Sequence, residues 1–524
     1  MLSQKKVYIS VVYLIFFSLL LFVPAQIIAQ EKSKGLSIID AIKTTLSHQP
    51  SIKIQEEEVQ ISKGALQQTQ GQFDPTLITD INRTRNNTPL TAADRVLYRR
   101  SKDVENLTTY TMSLSKQLRN GITIKPNLQM TRNDDLSFGA RTTNKSSVNF
   151  ALIFPLLKGS GKEAAGAEEM SAKIRLQASE MDLSHTVSAS VLETGNAYWT
   201  LLAAFMNLKI LKETESRAQQ LLEDVEKLVE ADERPSSDLD QLRASLASKT
   251  GNRIQGEQNL YENYQRLGIA MGLQYSKIIE LPTPADVFPE LLSEKKLSII
   301  NQREEFFQIS TEKRADLIAL KKLQESAGIL LSAARLNMRP QLDLSLSLGY
   351  QGLEESDSES GYYDAFQENI SGLNGSAMIS LVYPFGNNAP KGLYYQRKSS
   401  YQQARIRSTD LERNIHSDVA IAINALIQRT KELQESQKSV ASYKKALKNE
   451  KLKLKMGLST VIDVVEIEDR YRNALLADVV SHRQYAGALL QLRFATGTLL
   501  HEYNGEYTIT MEQLAEIPDY KQNR

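Results

Sequence analysis

Apolar and polar residues alternate with period two in several short stretches of the chain. In the clearest stretch, from Gln341 to Tyr350, every second residue is Leu or Tyr, and Gln, Asp, Ser and Gly stand between them. Similar rows occur at 110–115 and 148–154, and a less regular one at 379–383. Because successive side chains of a strand point to opposite faces, these stretches predict β-strands with one apolar face.

The predicted strands suit two kinds of sheet. Alternation over about ten residues is typical of a membrane barrel strand, and an ordinary half-exposed sheet shows the same pattern. Long polar connections at 85–107, 132–146 and 351–373 are expected to be loops and fit the outer side of an outer-membrane barrel. Asn120-Gly121 is a hairpin signal that would raise the strand segments from four to six. Neither number closes a wide barrel within one chain, so such a barrel would be shared between subunits.

Two other stretches predict very long helices. Residues 167–234 contain no Pro and a single Gly, and residues 393–456 contain neither. An apolar stripe at helical spacing runs through them, and each helix would be about 100 Å long. Such helices are stable only when packed side by side, as in a coiled coil or helical barrel. Gly457 and the Ser459-Thr460 pair predict a helix end, a tight turn and an antiparallel return helix.

The chain also repeats its own plan. Residues 36–275 and 297–500 form two predicted structural repeats, because short motifs recur in the same order. The matching pairs are Leu36–Asp40 with Leu297–Asn301, Pro75 with Pro340, Phe154–Leu156 with Tyr383–Phe385, and Asp238 with Asp463. The predicted domain limits are strands at about 76–156 and 341–384, long helices at about 162–272 and 392–497, a linker at 276–296 and a C-terminal tail at 501–524.

The N-terminus reads as a targeting segment. Two lysines precede an apolar run that ends at Pro24, and small residues follow, which predicts a cleaved signal peptide over residues 1–29. An uncleaved anchor is the alternative. No later window reaches about 18 uncharged apolar residues, so the mature chain is expected to be either soluble or inserted through strands.

Composition excludes several function classes. Lys+Arg is 63 and Asp+Glu is 62, which argues against a nucleic-acid partner. Cysteine is absent, so thiolate zinc sites, disulfides and a cysteine nucleophile are excluded. The five histidines are scattered, and Gly159–Ala164 fits a dinucleotide pattern only weakly, since no short βαβ unit follows. We therefore predict a protein that is not an enzyme and has no cofactor or metal site.

These features together resemble the TolC family of outer-membrane efflux channels over nearly the whole mature chain. The residues that carry the resemblance are Leu36–Ala41 with Pro50, Phe73–Pro75, Arg314–Asp316, Phe154–Leu157, Tyr383–Gly386, Ala197–Trp199 and, most specifically, Gly457–Val465. The resemblance implies a mainly α fold with membrane β: long antiparallel helical hairpins form a trimeric α-barrel joined to a shared outer-membrane β-barrel. It implies a homotrimer in the outer membrane with a large periplasmic portion.

The implied function is a passive exit duct for small molecules or for secreted proteins. The implied partners are outer-membrane lipid, a periplasmic adaptor and an inner-membrane transporter. The alternative is an exported periplasmic coiled-coil scaffold without a pore.

The resemblance also implies a periplasmic gate at the helix tips. Asp463, Glu466 and Asp238 match the positions of acidic constriction rings, although acids in a first helical turn also favour the helix dipole without any gating role. Family members often carry a basic residue at the place of Ser459, so the closing contact is expected to be rearranged here. The tip residues expected to contact the adaptor are Arg234, Pro235, Ser236, Gly457, Leu458, Ser459 and Thr460.

Overall fold

A computed structural model describes residues 35–135, 141–293, 303–358, 360–367, 371–503 and 506–518. The predicted signal peptide at 1–29 and the Leu297–Asn301 motif lie outside these residues. The domain limits given above remain predictions, and the observed elements are set out below.

Helices dominate the described part of the chain. They are α1 (Ile38–His48), α2 (Pro50–Gln70), α3 (Ala92–Tyr98), α4 (Lys162–Ala165), α5 (Ala167–Glu230), α6 (Ser237–Ala270), α7 (Tyr275–Ile278), α8 (Arg303–Lys313), α9 (Ala315–Leu336), α10 (Gly361–Gln367), α11 (Asn388–Lys455), α12 (Val461–Ala495) and α13 (Met511–Ala515). The two long helices, α5 with 64 residues and α11 with 68, confirm the predicted length of about 100 Å. None of the helices described here is long and apolar enough to cross a membrane.

The strands form two antiparallel sheets. The larger contains, in order, β1 (Thr76–Pro89), β2 (Lys102–Gln117), β3 (Thr123–Asp135), β4 (Thr143–Pro155), β5 (Gln341–Glu355) and β6 (Ser371–Val382). A small hairpin pairs β7 (His501–Tyr503) with β8 (Glu506–Thr508). The Asn120-Gly121 turn joins β2 to β3, so the larger sheet has six strands.

The strands are longer than the sequence predicts. We expected loops at 85–107, 132–146 and 351–373, but both ends of each range continue the ladders. Asn86 pairs with Glu105, for example, and Asn144 pairs with Glu354. The ladder hydrogen bonds join backbone groups whatever the side chains are, so strands can continue through polar residues, and polarity alone misplaced the strand ends. What remains of the first and third loops folds into the short helices α3 and α10.

The register of the large sheet separates two chemically different faces. Because each pair of neighbours keeps one register, every second residue of each strand lies on the same face of the sheet as its partners on the neighbouring strands. One face carries Leu77, Ile81, Tyr110, Met112, Leu114, Leu128, Val148, Phe150, Leu152, Leu346, Leu348, Ile379 and Leu381. The other carries Asp80, Thr111, Ser113, Asn127, Gln129, Ser147, Asn149, Ser345, Ser347 and Ser376. The strands include nearly all residues of the four stretches in which alternation is predicted, and their apolar rows lie on one face.

The helices form two layers, each four helices wide, below the sheet. In the layer next to the sheet the order is α2, α5, α9 and α11; in the far layer it is α6, α5, α12 and α11. The long helices α5 and α11 run through both layers. Each half of the chain therefore supplies one long helix and two shorter ones, as the internal repeat predicts.

The largest buried core lies where the two layers meet. Trp199 is only 1% exposed and its ring lies 5.6 Å from that of Phe288, while the Tyr198 hydroxyl donates to the carbonyl of Leu36 at 2.8 Å. Burial raises the pKa of the Tyr198 hydroxyl. Tyr485 acts similarly in the other half, where its hydroxyl donates to the carbonyl of Glu290 at 3.1 Å. The linker and the segment that contains Leu36 are thus fastened to the long helical hairpins.

Candidate functional site

The two helical hairpins end side by side. Leu222 and Val225 of α5, Leu242 of α6 and Val461 of α12 form a buried cluster just before the turns. Val461 starts its helix, so this cluster ties one turn directly to the other hairpin. The two turns, at 231–236 and 456–460, therefore form one composite tip, defined here by these two ranges.

Both turns end their long helix in the same way. At the second turn, Gly457 adopts φ 73°, its N–H donates to the carbonyl of Leu454 at 3.1 Å, and the N–H of Leu458 donates to that of Lys453 at 2.9 Å. This is the left-handed helix end that the sequence predicts at Gly457. At the first turn Asp232 adopts φ 55° in the equivalent place, although its side chain makes that conformation less favourable than for glycine.

Asp463 is held by the start of its own helix. Its Oδ2 accepts from the backbone N–H of Thr460 at 3.0 Å and from the Thr460 hydroxyl at 2.6 Å, while that hydroxyl accepts from the N–H of Asp463. This reciprocal capping box satisfies two backbone donors that the helix leaves open. The hydrogen bonds from Thr460 lower the pKa of the Asp463 carboxyl.

The other two predicted gate acids also have partners in their own chain. Glu466 is exposed and forms an ion pair with Arg470 one turn further along α12. Asp238 lies 3.8 Å from Arg234, the basic residue of the first turn. Asp463 and Glu466, three residues apart, are both exposed on the tip side of α12. Each of the three acids thus has a partner close to it in sequence, and only Asp463 and Glu466 are close to one another in sequence.

Ser459, which stands where the family often has a basic residue, makes a local contact. Its hydroxyl donates to Oε1 of Glu450 at 2.6 Å, and Lys453 lies 3.0 Å from the other oxygen of Glu450. These two groups lower the pKa of the Glu450 carboxyl. The hydroxyl therefore fastens the turn to α11 and leaves no charge at this position.

Two ion pairs that the sequence analysis missed tie the hairpins together above the tip. Arg217 of α5 donates from Nε to Glu468 of α12 at 2.7 Å, and Lys249 of α6 contacts Asp469 of α12. Glu468 is only 3% exposed and Lys249 only 5%. The partners are more than 200 residues apart in sequence, and Arg217 and Glu468 are separated by 251 residues. No local pattern therefore distinguishes these residues from the many charged residues on solvated helix faces.

The described residues contain no group of three or more His, Asp or Glu side chains placed to hold a metal ion. What the tip offers chemically is a set of exposed carboxylates on a rigid helix start. Such a set can attract cations or repel anions wherever several copies face a common axis.

No family model matches the sequence. Among curated proteins, the chain is similar to outer membrane protein TolC of Vibrio cholerae, with 23% identity over 317 residues that make up 60% of this chain and 69% of the relative.

Two solved structures share the fold. The CmeC outer membrane channel of Campylobacter jejuni matches with a TM-score of 0.60 at 15% identity, covering 93% of this chain and 88% of that chain. The outer membrane protein VceC of Vibrio cholerae matches with a TM-score of 0.60 at 16% identity, covering 88% of this chain and 96% of that chain. At these identities the likeness establishes the fold, in which long helical hairpins continue an antiparallel sheet.

Proposed function

We propose that this chain is a channel protein of the TolC family and the passive exit duct of an efflux assembly. It lies in the outer membrane and its helices extend into the periplasm. Its relatives are channels, and we propose that this chain likewise catalyses no reaction. Small molecules are the proposed cargo, with secreted protein as the alternative.

One observation carries this proposal. Two helices about 100 Å long are joined by short connections to a sheet with one apolar and one polar face. An apolar face suits lipid and a polar face suits a water-filled lumen, which is the division that a membrane pore requires. A coiled-coil scaffold would have no use for such a two-faced sheet, so the pore is the better account.

Three copies are proposed to complete the pore. A single copy leaves both outer strands, β1 and β6, without a partner on one side. Because β1 runs away from the helices and β6 runs back towards them, β1 of one copy can pair antiparallel with β6 of the next. The exposed apolar residues on both strands continue the same face.

The composite tip is proposed as the gate and the docking point. We assign the constriction to Asp463, Glu466 and Asp238, whose carboxylates would face the axis in three copies. The turn residues Arg234, Pro235, Ser236, Gly457, Leu458, Ser459 and Thr460 would meet a periplasmic adaptor. An inner-membrane transporter would supply the energy, since a passive duct has none of its own.

Planar-bilayer conductance of the detergent-extracted protein tests the pore and the gate together. We expect a small, cation-selective conductance that rises and loses selectivity in the double variant Asp463→Ala, Glu466→Ala. The physical reason is the loss of negative potential at the constriction and of the capping box that holds the turn.

A matched control keeps the charge change but moves it away from the tip. Asp410→Ala with Glu435→Ala removes two exposed acids of α11 that also have partners within one turn. These changes should leave conductance and selectivity as they are. A conductance equal in all three proteins would place the gate elsewhere, and no conductance at all would refute the duct.

A further inference from the structure

The large sheet has more strands than the helical layer beneath it has helices. Four strands continue a helix: β1 follows α2, β4 leads through α4 into α5, β5 follows α9, and β6 precedes α11. The remaining two, β2 and β3, form a hairpin between β1 and β4 that has no helix of its own. This hairpin spans Lys102–Asp135 and is called the inserted hairpin below.

The turn of the inserted hairpin is fastened to the helices. Arg119, in that turn, donates from Nε and Nη2 to the two carboxylate oxygens of Glu169 on α5, both at 2.7 Å. Its guanidinium also lies 4.9 Å from the ring centre of Phe73, at the end of α2. A bidentate ion pair with α5 and a ring contact just beyond the end of α2 fix the turn in place.

The backbone of the same turn leaves no room for displacement. The N–H of Gly161 donates to the carbonyl of Asn120 at 3.0 Å. Gly121 has φ 93°, and a side chain there would stand 2.3 Å from the carbonyl oxygen of Gly159. The inserted hairpin is therefore a built part of the wall, in register with β1 on one side and β4 on the other.

The widths of the two layers explain what the hairpin adds. Four helices packed side by side span about 40 Å of arc at roughly 10 Å each. Six strands 4.8 Å apart and tilted by about 40° span about 38 Å, whereas four such strands would span only about 25 Å. With the inserted hairpin, sheet and helical layer therefore have nearly the same width in each copy.

We propose that the inserted hairpin widens the outer-membrane pore to the width of the periplasmic duct. In the trimer of the proposed function, on which this inference rests, eighteen strands would enclose a pore about 36 Å across between backbones, against about 24 Å for twelve. The polar face of the hairpin, with Thr111, Ser113 and Asn127, lines that pore. The outer-membrane portion then sets no size limit of its own, and the cargo class extends to any solute or extended polypeptide that passes the tip.

Single cysteines test this directly because the natural chain contains none. Thr111→Cys and Met112→Cys are neighbours on β2, the first on the polar face and the second on the apolar face. In the reconstituted full-length protein, a water-soluble cationic thiol reagent should modify Thr111→Cys. It should leave Met112→Cys unmodified, and a lipid-soluble maleimide should react there instead.

The controls are Ser345→Cys and Leu346→Cys, the corresponding pair on β5, a strand that continues a helix. If the β5 pair alternates in its reactivity but both β2 cysteines react with the water-soluble reagent, the hairpin stands outside the wall. That result overturns the inference and leaves the duct intact. If the β5 pair also fails to alternate, or if no protein conducts, the proposed function itself fails and the inference with it.

The number of strands in the barrel wall can also be counted directly. Electron cryo-microscopy of the trimer in lipid nanodiscs should show eighteen strands in the closed wall. Twelve strands, with density for 102–135 lying outside them, would refute the inference.

Discussion

At the residue scale, the capping box gives Asp463 a second role beside its proposed place in the gate. The same carboxylate that would face the axis also satisfies the open backbone donors of α12. A carboxylate that acted only through its charge would not require the hydrogen bonds with Thr460, three residues before it. The pairing indicates that charge and turn geometry depend on each other at this position.

This coupling predicts a pH dependence at the tip. The pKa of Asp463 is lower in the folded protein than in the unfolded chain, so the carboxylate stabilises the fold fully above the ordinary Asp value of about 3.9. The contribution is lost as the pH falls through the lower folded value. We expect a spin label at Leu458→Cys, which is 73% exposed, to stay equally ordered down to about pH 4 and to gain mobility below it.

Two further variants of the spin-labelled Leu458→Cys protein distinguish the protonation of Asp463 from that of other acidic residues. Asp463→Asn keeps the size of the side chain and should give a mobile label at every pH. Asp240→Asn, an exposed acid of α6, should leave the titration unchanged. A label whose mobility does not respond to pH in the parent protein contradicts the role of the cap.

At the scale of elements, a buried ion pair between α5 and α12 links the two hairpins. Glu468 is almost fully buried and Arg217 about a quarter exposed. Removing one partner leaves a buried charge without compensation, whereas removing both leaves none.

We therefore expect Arg217→Met to lower the free energy of unfolding by about 1–3 kcal/mol. Arg217→Met with Glu468→Leu should recover most of that loss. Thermal unfolding in detergent, followed by circular dichroism, measures the three proteins. Exposed Arg413, paired with Asp410 within α11, provides the control: Arg413→Met should change stability by less than about 0.5 kcal/mol. A double variant as unstable as the single one would show that packing, and not charge, holds these helices together.

Most of the long elements could be predicted from the sequence, but the contacts between them could not. The long helices follow from the lack of Pro and Gly, the helix end follows from Gly457, and the β2–β3 turn follows from Asn120-Gly121. These signals are local, so the sequence contains them. Contacts between distant parts, such as Arg217 with Glu468 or Arg119 with Glu169, depend on which helix faces become neighbours. The predicted strand ends were wrong because polar residues that pair in a sheet cannot be distinguished from loop residues in the sequence.

Arg493 illustrates a buried group that no local pattern identifies. Its guanidinium donates to the carbonyls of Thr498, Glu516 and Ile517, and so fastens the C-terminal segment across the end of α12. Burial lowers its pKa to about 10, which still leaves the side chain charged at neutral pH. In sequence it is one of many charged residues on a long helix.

At the scale of the whole molecule, the free edges of the sheet require an assembly. A sheet with two long unpaired edge strands is prone to further pairing unless partners close it. We expect the purified protein to have about three times the mass of one chain in detergent, by light scattering corrected for bound detergent. Since each chain is 58.9 kDa with its N-terminal segment, a trimer is well separated from a monomer.

Proline on the β1 edge tests the closure. Thr79→Pro with Asp80→Pro removes two neighbouring N–H groups, one of which faces the open side of the strand. This variant should shift the mass towards that of a single chain, while Thr79→Ser with Asp80→Asn should not. An unchanged trimer in the proline variant would mean that the copies associate through the helices alone.

The near-equal widths of sheet and helical layer have an electrical consequence. Sections of a water-filled pore add as resistances in series, and each resistance falls with the square of the local diameter. A pore that keeps one bore through the membrane and the periplasm contributes little resistance along most of its length. Nearly the whole potential drop then falls across the tip, so a shift of one helical turn there is enough to switch the current while the rest of the wall stays still.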